Sequence, residues 1–390
     1  MYNFNKQIDR SNTNAEKYTL REKLFHTEDV IPMWVADMDI ATPQFILDDI
    51  SNRLKHPILG YEEFPLKAKN AQAKWISNNH NYKVDTDDII FSNSVVTSIN
   101  LAIQAFTSIG DEVLVQPPVY FPFFSCVTKN NRKVIKNPLK KDSKGDYTFD
   151  IDDLILKITP KTKLLLLCSP HNPVGRVWRK EELEKLADVC IKNNIKVFAD
   201  EIHCDLVYEE YKHIPFAGLS KEIEDITVTA YGVGKTFNLA GVAASTVVIS
   251  NQLMKQDFKK IHDAIHIGEG NTLGHIAFIS AYEKGAQYKQ ELLKHLSSNI
   301  DMLEKMLEKH KDKISFKRPQ GTYLAWLDCH GMELNDKKLR EFFVTQAKLG
   351  LSPGSSFGKE GSRFMRLNFA VPSSLMKQAL SILDKALNKF

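Results

Sequence analysis

Short apolar runs alternate with stretches of helical periodicity between about residues 87 and 250. The apolar runs are rich in Leu and Val without regular polar alternation, which is typical of strands covered on both faces. The predicted strands are Glu112–Val115, Lys163–Cys168, Lys196–Ala199, Thr227–Tyr231 and Ser245–Ile249. Helical patterns such as Lys180–Lys192 lie between them, so we expect an α/β layered domain with a mostly parallel sheet.

The pattern differs on either side of this region. Residues 1–45 read as irregular apart from the segment Pro32–Asp39, and Thr42 followed by Pro43 predicts a helix with Thr42 as its N-cap. After about residue 285, amphipathic helices predominate, with two strands among them. These helices are predicted near residues 292–307, Lys337–Leu349 and Ser374–Asn388, and the strands near Tyr323–Asp328 and Phe364–Asn368.

This change of pattern predicts two domains. The chain has 390 residues, against about 150 for an ordinary domain. We assign residues 46–285 to a large domain. Residues 1–45 and 286–390 form an N-terminal segment and a smaller α+β domain. No flexible linker separates them, so we expect the two domains to enclose a cleft, which is a common place for a site.

Composition narrows the classes of function. Lys and Arg number 52 against 48 Asp and Glu, a net charge of +4 without a basic block, which argues against nucleic acid as a partner. The polar N-terminus predicts no signal peptide, and the longest apolar stretch, residues 239–249, is too short for a membrane span. Five scattered cysteines without a CxxC pair favour a reduced, cytoplasmic protein with no metal site.

One lysine stands out as a candidate for chemistry. Lys235 follows the predicted strand Thr227–Tyr231, within the string Gly232-Val-Gly-Lys-Thr-Phe-Asn238. The string ends like a phosphate-binding P-loop, but that motif requires Gly at position 229, where this chain has Thr. A lysine at a strand end beside small residues is instead suited to a Schiff base with a carbonyl cofactor.

Three further features lie at predicted strand ends or turns, where α/β sheets bind ligands. Asn172 stands between two prolines after the strand Lys163–Cys168, and Asp200 ends the strand that begins at Lys196. The run Asn93–Ser98 opens a helix whose free amides could hold an anion. Each has an ordinary alternative taken alone: a Pro/Gly turn, a paired structural carboxylate and a Ser-capped helix.

Together these features match pyridoxal phosphate. That cofactor needs a lysine for its aldehyde, an acid for its ring nitrogen, a donor to its phenolic oxygen and an anion pocket. Lys235, Asp200, Asn172 and the turn at residues 94–97 supply these four groups. Tyr120, just past another predicted strand, could stack on the ring, although core packing is the alternative for this residue.

The chain resembles the fold-type I pyridoxal-phosphate enzymes of the class I/II aminotransferase superfamily. More narrowly, it is similar to the MalY/PatB group of cystathionine β-lyases, or cysteine-S-conjugate β-lyases. The matching strings occur in family order over nearly the whole chain: Pro32–Asp39, Gly60–Tyr61, Pro118–Pro122, Pro170–Trp178, Asp200–His203, Lys235–Gly241, Gly321–Asp328 and Met365–Asn368. The resemblance implies a large domain with a seven-stranded, mostly parallel sheet.

The resemblance also implies roles around the cofactor ring. Lys235 would bind the cofactor aldehyde and move the substrate's Cα proton. Asp200 would keep the ring nitrogen protonated, and Asn172 would bond the phenolic oxygen. His203 falls where related enzymes often place a Tyr for that same oxygen, and Tyr120 would stack on the ring.

Further roles follow for the phosphate and the substrate. The backbone of Val95 and Val96 would hold the phosphate, and Tyr61 would reach it from a neighbouring subunit, which implies a homodimer. Arg366 would clamp the substrate carboxylate, with Arg363 the less favoured alternative.

The chain departs from the family pattern near the lysine. Position 234 is Gly where the family commonly has Ser, and position 232 is Gly where many members place a phosphate-binding Ser. Two hydroxyls near the cofactor are therefore missing, and we expect weaker cofactor retention.

The reaction implied is α,β-elimination of L-cystathionine or another S-substituted L-cysteine to a thiol, pyruvate and ammonia. Transamination on the same scaffold is the main alternative, because the residues named above are shared by both reactions. A regulator that merely holds the cofactor is a further alternative, but residues 1–45 are too short for an added DNA-binding domain with its linker.

Overall fold

The computed structural model describes residues 2–390, which fold into fourteen α-helices and fifteen strands. The helices are α1 Glu16–Thr19, α2 Arg21–Phe25, α3 Gln44–Leu54, α4 Leu66–His80, α5 Val95–Phe106, α6 Pro122–Lys129, α7 Ile151–Lys157, α8 Lys180–Lys192, α9 Lys221–Glu224, α10 Gln252–Ala264, α11 Thr272–Lys284, α12 Ala286–Leu307, α13 Asp336–Thr345 and α14 Ser373–Lys389. The strands are β1 Ile31–Pro32, β2 Ile89–Ser92, β3 Glu112–Val115, β4 Lys133–Lys136, β5 Lys140–Lys141, β6 Tyr147–Thr148, β7 Thr162–Cys168, β8 Lys196–Asp200, β9 Thr227–Gly232, β10 Ser245–Val248, β11 Ser315–Phe316, β12 Leu324–Asp328, β13 Leu349–Gly350, β14 Ser352–Pro353 and β15 Phe364–Asn368.

A seven-stranded sheet in the order β2-β10-β9-β8-β7-β3-β4 forms the centre of the fold. The strands from β9 to β4 run parallel, and β10 runs antiparallel to both of its neighbours. The mostly parallel α/β sheet expected from the sequence is confirmed. Because parallel strands end at the same edge, the residues that follow β7, β8 and β9 are brought side by side.

Strand β7 illustrates why the sheet is covered on both faces. Leu164 and Leu166 pack with the cluster that contains Ile99 of α5, whereas Leu165 and Leu167 pack with the cluster that contains Leu183 of α8. Successive side chains of a strand point to opposite faces, so an uninterrupted leucine run requires an apolar layer on each side. The sequence pattern therefore specifies a three-layer arrangement.

A second, four-stranded sheet has the order β11-β12-β15-β14 and is antiparallel throughout. Helices α12 and α14 pack against each other beside it, with Leu292, Leu296, Ile300 and Leu383 in one apolar cluster. Residues 2–45 also contribute to this cluster. The domain boundaries at 45/46 and 285/286 stay a prediction. All strands of the seven-stranded sheet precede residue 285 in the sequence, and all strands of the four-stranded sheet follow it.

The segment before Pro32, which was predicted to be irregular, contains the short helices α1 and α2. Two other local predictions were also wrong. Helix α3 begins at Gln44 with Pro43 as its N-cap, and the hydroxyl of Thr42 instead donates to the carbonyl of Asn238 at 3.2 Å. The helix predicted over Lys337–Leu349 ends at Thr345, since Leu349 enters strand β13 and pairs with Ile31. Both differences come from contacts with residues distant in the sequence, which local patterns do not contain.

The cysteines lie in the interior of the protein. All five cysteines are buried and free, as small apolar side chains often are. Among residues 2–390, no helix combines the length and the apolar character needed to cross a membrane.

Candidate active site

A cavity of about 630 Å³ lies where the carboxyl edge of the seven-stranded sheet meets the N-terminal segment and β15. Eight of the nine residues predicted for the site line it: Val95, Val96, Tyr120, Asn172, Asp200, His203, Lys235 and Arg366. The ninth, Tyr61, does not line it and lies fully exposed before α4. Sequence motifs separated by up to 271 positions are thus brought to one place.

Lys235 lies in the turn after β9, and its partly buried side chain lines the cavity. Its Nζ donates a hydrogen bond of 2.7 Å to the carbonyl of Ala36 in the N-terminal segment. Burial and the nearby Arg366 guanidinium lower the pKa of Lys235 to about 8, with Asp200 opposing them. An amine with such a pKa exchanges its proton near neutrality, which suits a nucleophile or a general base.

Asp200 is the last residue of β8 and is buried beside Lys235. Its Oδ1 accepts one hydrogen bond, 3.2 Å from the backbone nitrogen of Ile202. Burial raises the pKa of Asp200 to about 6, although Ile202 and Lys235 lower it. A buried carboxylate with so little compensation is costly, and a cationic ligand atom would supply what is missing.

Arg366 lies on β15, facing Asn172 across the cavity. Its Nη1 donates to Oδ1 of Asn172 at 3.0 Å, and its Nη2 donates to the carbonyl of Trp34 at 2.6 Å and to the hydroxyl of Ser352 at 3.3 Å. The guanidinium also lies 4.8 Å from the ring centre of Phe357. Burial lowers the pKa of Arg366 to about 10.

Two observations mark Arg366 as an anion site. Within residues 2–390 no acidic side chain pairs with it, and its buried Nε has no hydrogen-bond partner. A buried cation without a counterion is costly, so an anionic ligand group is the expected partner. Since Arg366 occupies Oδ1 of Asn172, the amide nitrogen of Asn172 remains as a donor toward the cavity.

His203 and Tyr120 line the same cavity. Burial, with Lys235 and Arg366 nearby, holds the pKa of His203 well below its usual range, so its imidazole is neutral. Its Nδ1 is buried without a partner in the described part of the chain. Burial and Asp200 raise the pKa of Tyr120 to about 12, which keeps its hydroxyl protonated.

The amino end of α5 supplies amide donors to the cavity. Ser94 is the N-cap, and its hydroxyl accepts from the nitrogen of Thr97 at 3.1 Å. Val95 and Val96 are the first two residues of this twelve-residue helix and line the cavity, so their amides have no acceptor within the helix. Such amides, together with the helix dipole, suit a phosphate.

Comparison with known proteins identifies the family. Residues 29–383 match the family model for aminotransferase class I and II. The chain belongs to this family.

Within this family, the chain is similar to several carbon–sulfur lyases. The chain is 39% identical over 388 residues to cystathionine β-lyase PatB of Bacillus subtilis (strain 168), covering 99% of this chain and 100% of that protein. It is similar in structure to cystalysin from Treponema denticola, which contains a pyridoxal 5′-phosphate cofactor (TM-score 0.96, 33% identity, 100% and 99% coverage). It is also similar to the PLP-bound C-S lyase from Staphylococcus hominis (TM-score 0.91, 32% identity, 99% and 98% coverage).

The two glycines that depart from the family pattern have different surroundings. A Cβ at Gly232 would lie 2.9 Å from Cδ1 of Ile202 and 3.1 Å from Cβ of Ser245, so a serine there needs its neighbours to move. A Cβ at Gly234 would meet nothing closer than the Cα of Ala240 at 3.5 Å. Ser245 itself lines the cavity and pairs with Gly232 across the strands, which places one hydroxyl close to that position.

Sequence reasoning missed the backbone of residues 34–37, which lines the same cavity as the family's polar residues. The carbonyls of Trp34 and Ala36 accept from Arg366 and Lys235, respectively. The apolar and acidic string Pro32–Asp39 marked this segment as structured, but a backbone carbonyl leaves no signal in the residue types.

One buried group of possible metal ligands lies outside the cavity lining. His80, Cys204 and Asp205 have ligand atoms within 4.8 Å of one another. The Asp205 oxygens already accept from Trp75, His80 and Thr236 at 2.9 to 3.1 Å. These donors favour a hydrogen-bonded structural network at this place.

Proposed function

We propose that this protein is a pyridoxal-phosphate-dependent carbon–sulfur β-lyase. It cleaves L-cystathionine, or another S-substituted L-cysteine, with water to a thiol, pyruvate and ammonia. The observation that carries the proposal is that three charged groups, Lys235, Asp200 and Arg366, line one cavity without forming a salt bridge to any residue of 2–390. Full-length similarity to a cystathionine β-lyase and to C-S lyases supports the choice of reaction.

The residues present fit the cofactor. Asp200 lacks a cationic partner at hydrogen-bond distance, which a protonated ring nitrogen would supply. The free amide nitrogen of Asn172 and the cavity-lining His203 would meet the phenolic oxygen, and Tyr120 would lie against the ring. The amides of Val95 and Val96 would hold the phosphate, since helix ends favour anions.

When bound, pyridoxal phosphate supplies an aldehyde for Lys235 and a cationic ring that takes up the electron pair left at the substrate Cα. Lys235 Nζ takes the proton from Cα, because its lowered pKa leaves an unprotonated amine available near neutral pH. The carbonyl of Ala36, 2.7 Å away, accepts from the resulting ammonium and holds it in the cavity. Asp200 stays ionised above about pH 6 and balances positive charge on the ring side.

Arg366 binds and orients the substrate carboxylate. Its two terminal nitrogens are already fixed by Asn172, Trp34 and Ser352, so the guanidinium is held before the substrate arrives. A guanidinium has five N–H donors, and these contacts use three of them, so Nε and one hydrogen of Nη1 remain for the substrate carboxylate. Fixing the carboxylate places the Cα–H bond relative to Lys235, which is the main contribution of such a residue to the rate.

We further propose a homodimer in which Tyr61 reaches the partner's phosphate site. Tyr61 lies fully exposed in the loop between α3 and α4, together with the exposed side chains of Ile58 and Leu59. Leu54 at the end of α3 and Leu66 at the start of α4 are exposed as well. A patch of this kind is typical of a protein–protein contact, and a second copy of the chain would cover it.

We also assign the protein to the cytoplasm. All five cysteines are buried and unpaired, and proteins with free thiols are typical of reducing compartments.

The reaction is tested by comparing two amino acids on the cofactor-loaded protein. L-Cystathionine should give pyruvate and a free thiol in equal amounts without any added 2-oxo acid. L-Aspartate has no thiolate to expel, and with 2-oxoglutarate as acceptor it should react far more slowly than L-cystathionine. The reverse order of rates, with L-cystathionine unreactive, would contradict the lyase and establish an aminotransferase.

A further inference from the structure

The backbone of residues 34–37 connects the two cations of the site. The carbonyl of Trp34 accepts from Nη2 of Arg366 at 2.6 Å. The carbonyl of Ala36 accepts from Nζ of Lys235 at 2.7 Å and from the hydroxyl of Tyr323 at 2.8 Å. Arg366 belongs to β15, and Lys235 follows β9, so one short segment contacts a charged group from each of the two larger sheets.

The carbonyls of Val35 and Asp37 share one donor side chain, Asn368, and the Asp37 carbonyl also accepts from Nζ of Lys17 at 3.2 Å. Nδ2 of Asn368 donates to the carbonyls of Val35 and Asp37, both at 2.6 Å. Residues 35–37 form a bend in which successive carbonyls have different partners: those of residues 35 and 37 accept from Asn368, and those of residues 34 and 36 accept from Arg366 and Lys235. Holding the carbonyls of residues 35 and 37 therefore restricts where the carbonyls of residues 34 and 36 can point.

Asn368 is itself fixed and fully buried. It lies two residues after Arg366 on β15, and its Oδ1 accepts from the nitrogen of Ala370 at 2.8 Å. This bond determines which end of the amide carries the donors, so Nδ2 must point toward residues 35 and 37. Asn368 does not itself line the cavity, and its Nδ2 reaches the site only through the carbonyls of Val35 and Asp37.

The same segment is anchored at its far end by a partly buried group of four charges, in which Lys17 and Asp39 are buried. Arg10 bonds Asp37 at 2.8 Å and Asp39 at 2.7 Å, while Lys17 lies 3.1 Å from Asp37 and 2.9 Å from Asp39. The two cations and two carboxylates balance. This group limits how far residues 37–39 can move, and it leaves Asn368 to set the orientation of residues 34–36.

We propose that Asn368 is a positioning residue for the lyase reaction. It holds residues 34–37 so that the Trp34 carbonyl orients Arg366 and the Ala36 carbonyl receives the ammonium of Lys235. The inference rests on the proposed function for what Arg366 and Lys235 bind. It gives a role to a residue that ends the family-matching string Met365–Asn368 but does not line the cavity.

The test uses Asn368→Asp in the cofactor-loaded protein, with Asn299→Asp as its matched control. Aspartate keeps the shape of the side chain but has no amide protons to donate. Asn299 is equally buried, and its Nδ2 donates to the carbonyls of Phe369 and Val371 at 2.9 and 2.8 Å. Both substitutions remove two bonds to backbone carbonyls near the same strand, but only one of them affects residues 34–37.

Two readouts separate positioning from stability. Glycine has the carboxylate and amine of a substrate but no group to expel, and its dissociation constant is measured from the change in cofactor absorbance. A pH titration of the same absorbance follows the protonation of Lys235 Nζ in the cofactor-loaded protein. In Asn368→Asp, glycine should bind about tenfold more weakly or worse, and the titration midpoint should move by about half a pH unit or more. In Asn299→Asp, glycine affinity should change by less than about twofold.

Equal effects of the two substitutions on both readouts would overturn the proposal, since Asn368 would then be structural only. If Asn368→Asp does not fold, Asn368→Ser keeps one donor and leaves room, and the same comparison applies to it. Neither readout needs elimination to occur. A loss of glycine affinity in a protein that forms no pyruvate would therefore retain the positioning role and reject the lyase.

Discussion

Replacing Asp200 with Asn should stabilise the cofactor-free protein at pH 7.5 while weakening its hold on the cofactor. The carboxyl is fully buried, and burial raises its pKa from an ordinary 3.8 to about 6. The folded state therefore binds the proton more tightly than the unfolded state does. Stability falls as the pH rises from below about 4 to above 6, because only the folded state then has to give up a bound proton.

The size of the effect follows from that difference. About two pH units at about 1.4 kcal/mol each correspond to about 3 kcal/mol of lost stability above pH 6. Asparagine fills almost the same volume and does not ionise, so it avoids the loss. Pairing of Asp200 with a cationic ring nitrogen would recover the same energy in the wild-type protein once the cofactor is bound.

The assay is urea unfolding of the cofactor-free wild type and of Asp200→Asn, at one protein concentration, at pH 4 and pH 7.5. The variant should gain about 3 kcal/mol relative to the wild type between the two pH values. With saturating cofactor, the wild type should become the more stable protein at pH 7.5. A stability difference that is the same at both pH values would refute the reasoning, because the buried carboxyl would then carry no penalty.

Three other predictions concern the cofactor, the substrate and the base. Gly234→Ser should slow the loss of cofactor during dialysis, since a Cβ there has room. Cofactor occupancy that is unchanged from the wild type, measured by absorbance, would contradict this prediction. Gly232→Ser should instead lower the melting temperature, because its Cβ would lie 2.9 Å from Cδ1 of Ile202. Arg366→Lys should raise the KM for L-cystathionine about tenfold or more with a smaller change in kcat, because an ammonium cannot form the paired bonds of a guanidinium; steady-state kinetics with an unchanged KM would exclude Arg366 as the carboxylate site. The value of kcat should rise with pH to a plateau above about 8 as Lys235 loses its proton, and Lys235→Ala should be inactive throughout; a kcat that does not depend on pH on either side of this value would argue against Lys235 as the base.

Strand ends could be predicted from the sequence because they carry two signals at once. The leucine run of β7 indicates burial on both faces, and the polar residue that follows such a run is placed at the sheet edge by topology alone. Asn172, Asp200 and Lys235 were found in this way, and all three line the same cavity. Arg366 and Tyr61 came only from the family resemblance, because nothing local distinguishes them from other arginines and tyrosines.

The remainder depended on contacts that residue types do not encode. The carbonyls of Trp34 and Ala36 are common to every residue, and only the fold brings them to Arg366 and Lys235. Helix α13 ends early because Leu349 pairs with Ile31, 318 positions away. Gly232 and Gly234 look alike in the sequence, but neighbouring atoms leave less room for a Cβ at Gly232 than at Gly234.

The central claim is elimination at a Cβ–sulfur bond, and the count of turnovers without an acceptor tests it most directly. Cofactor-loaded protein is mixed with excess L-cystathionine and no 2-oxo acid, and pyruvate and thiol are counted per active site. The account predicts many equivalents of both in a fixed one-to-one ratio, and none from Lys235→Ala. A burst of about one 2-oxo acid per site that then stops, without free thiol, would contradict it, since an aminotransferase without an acceptor halts after a single half-reaction.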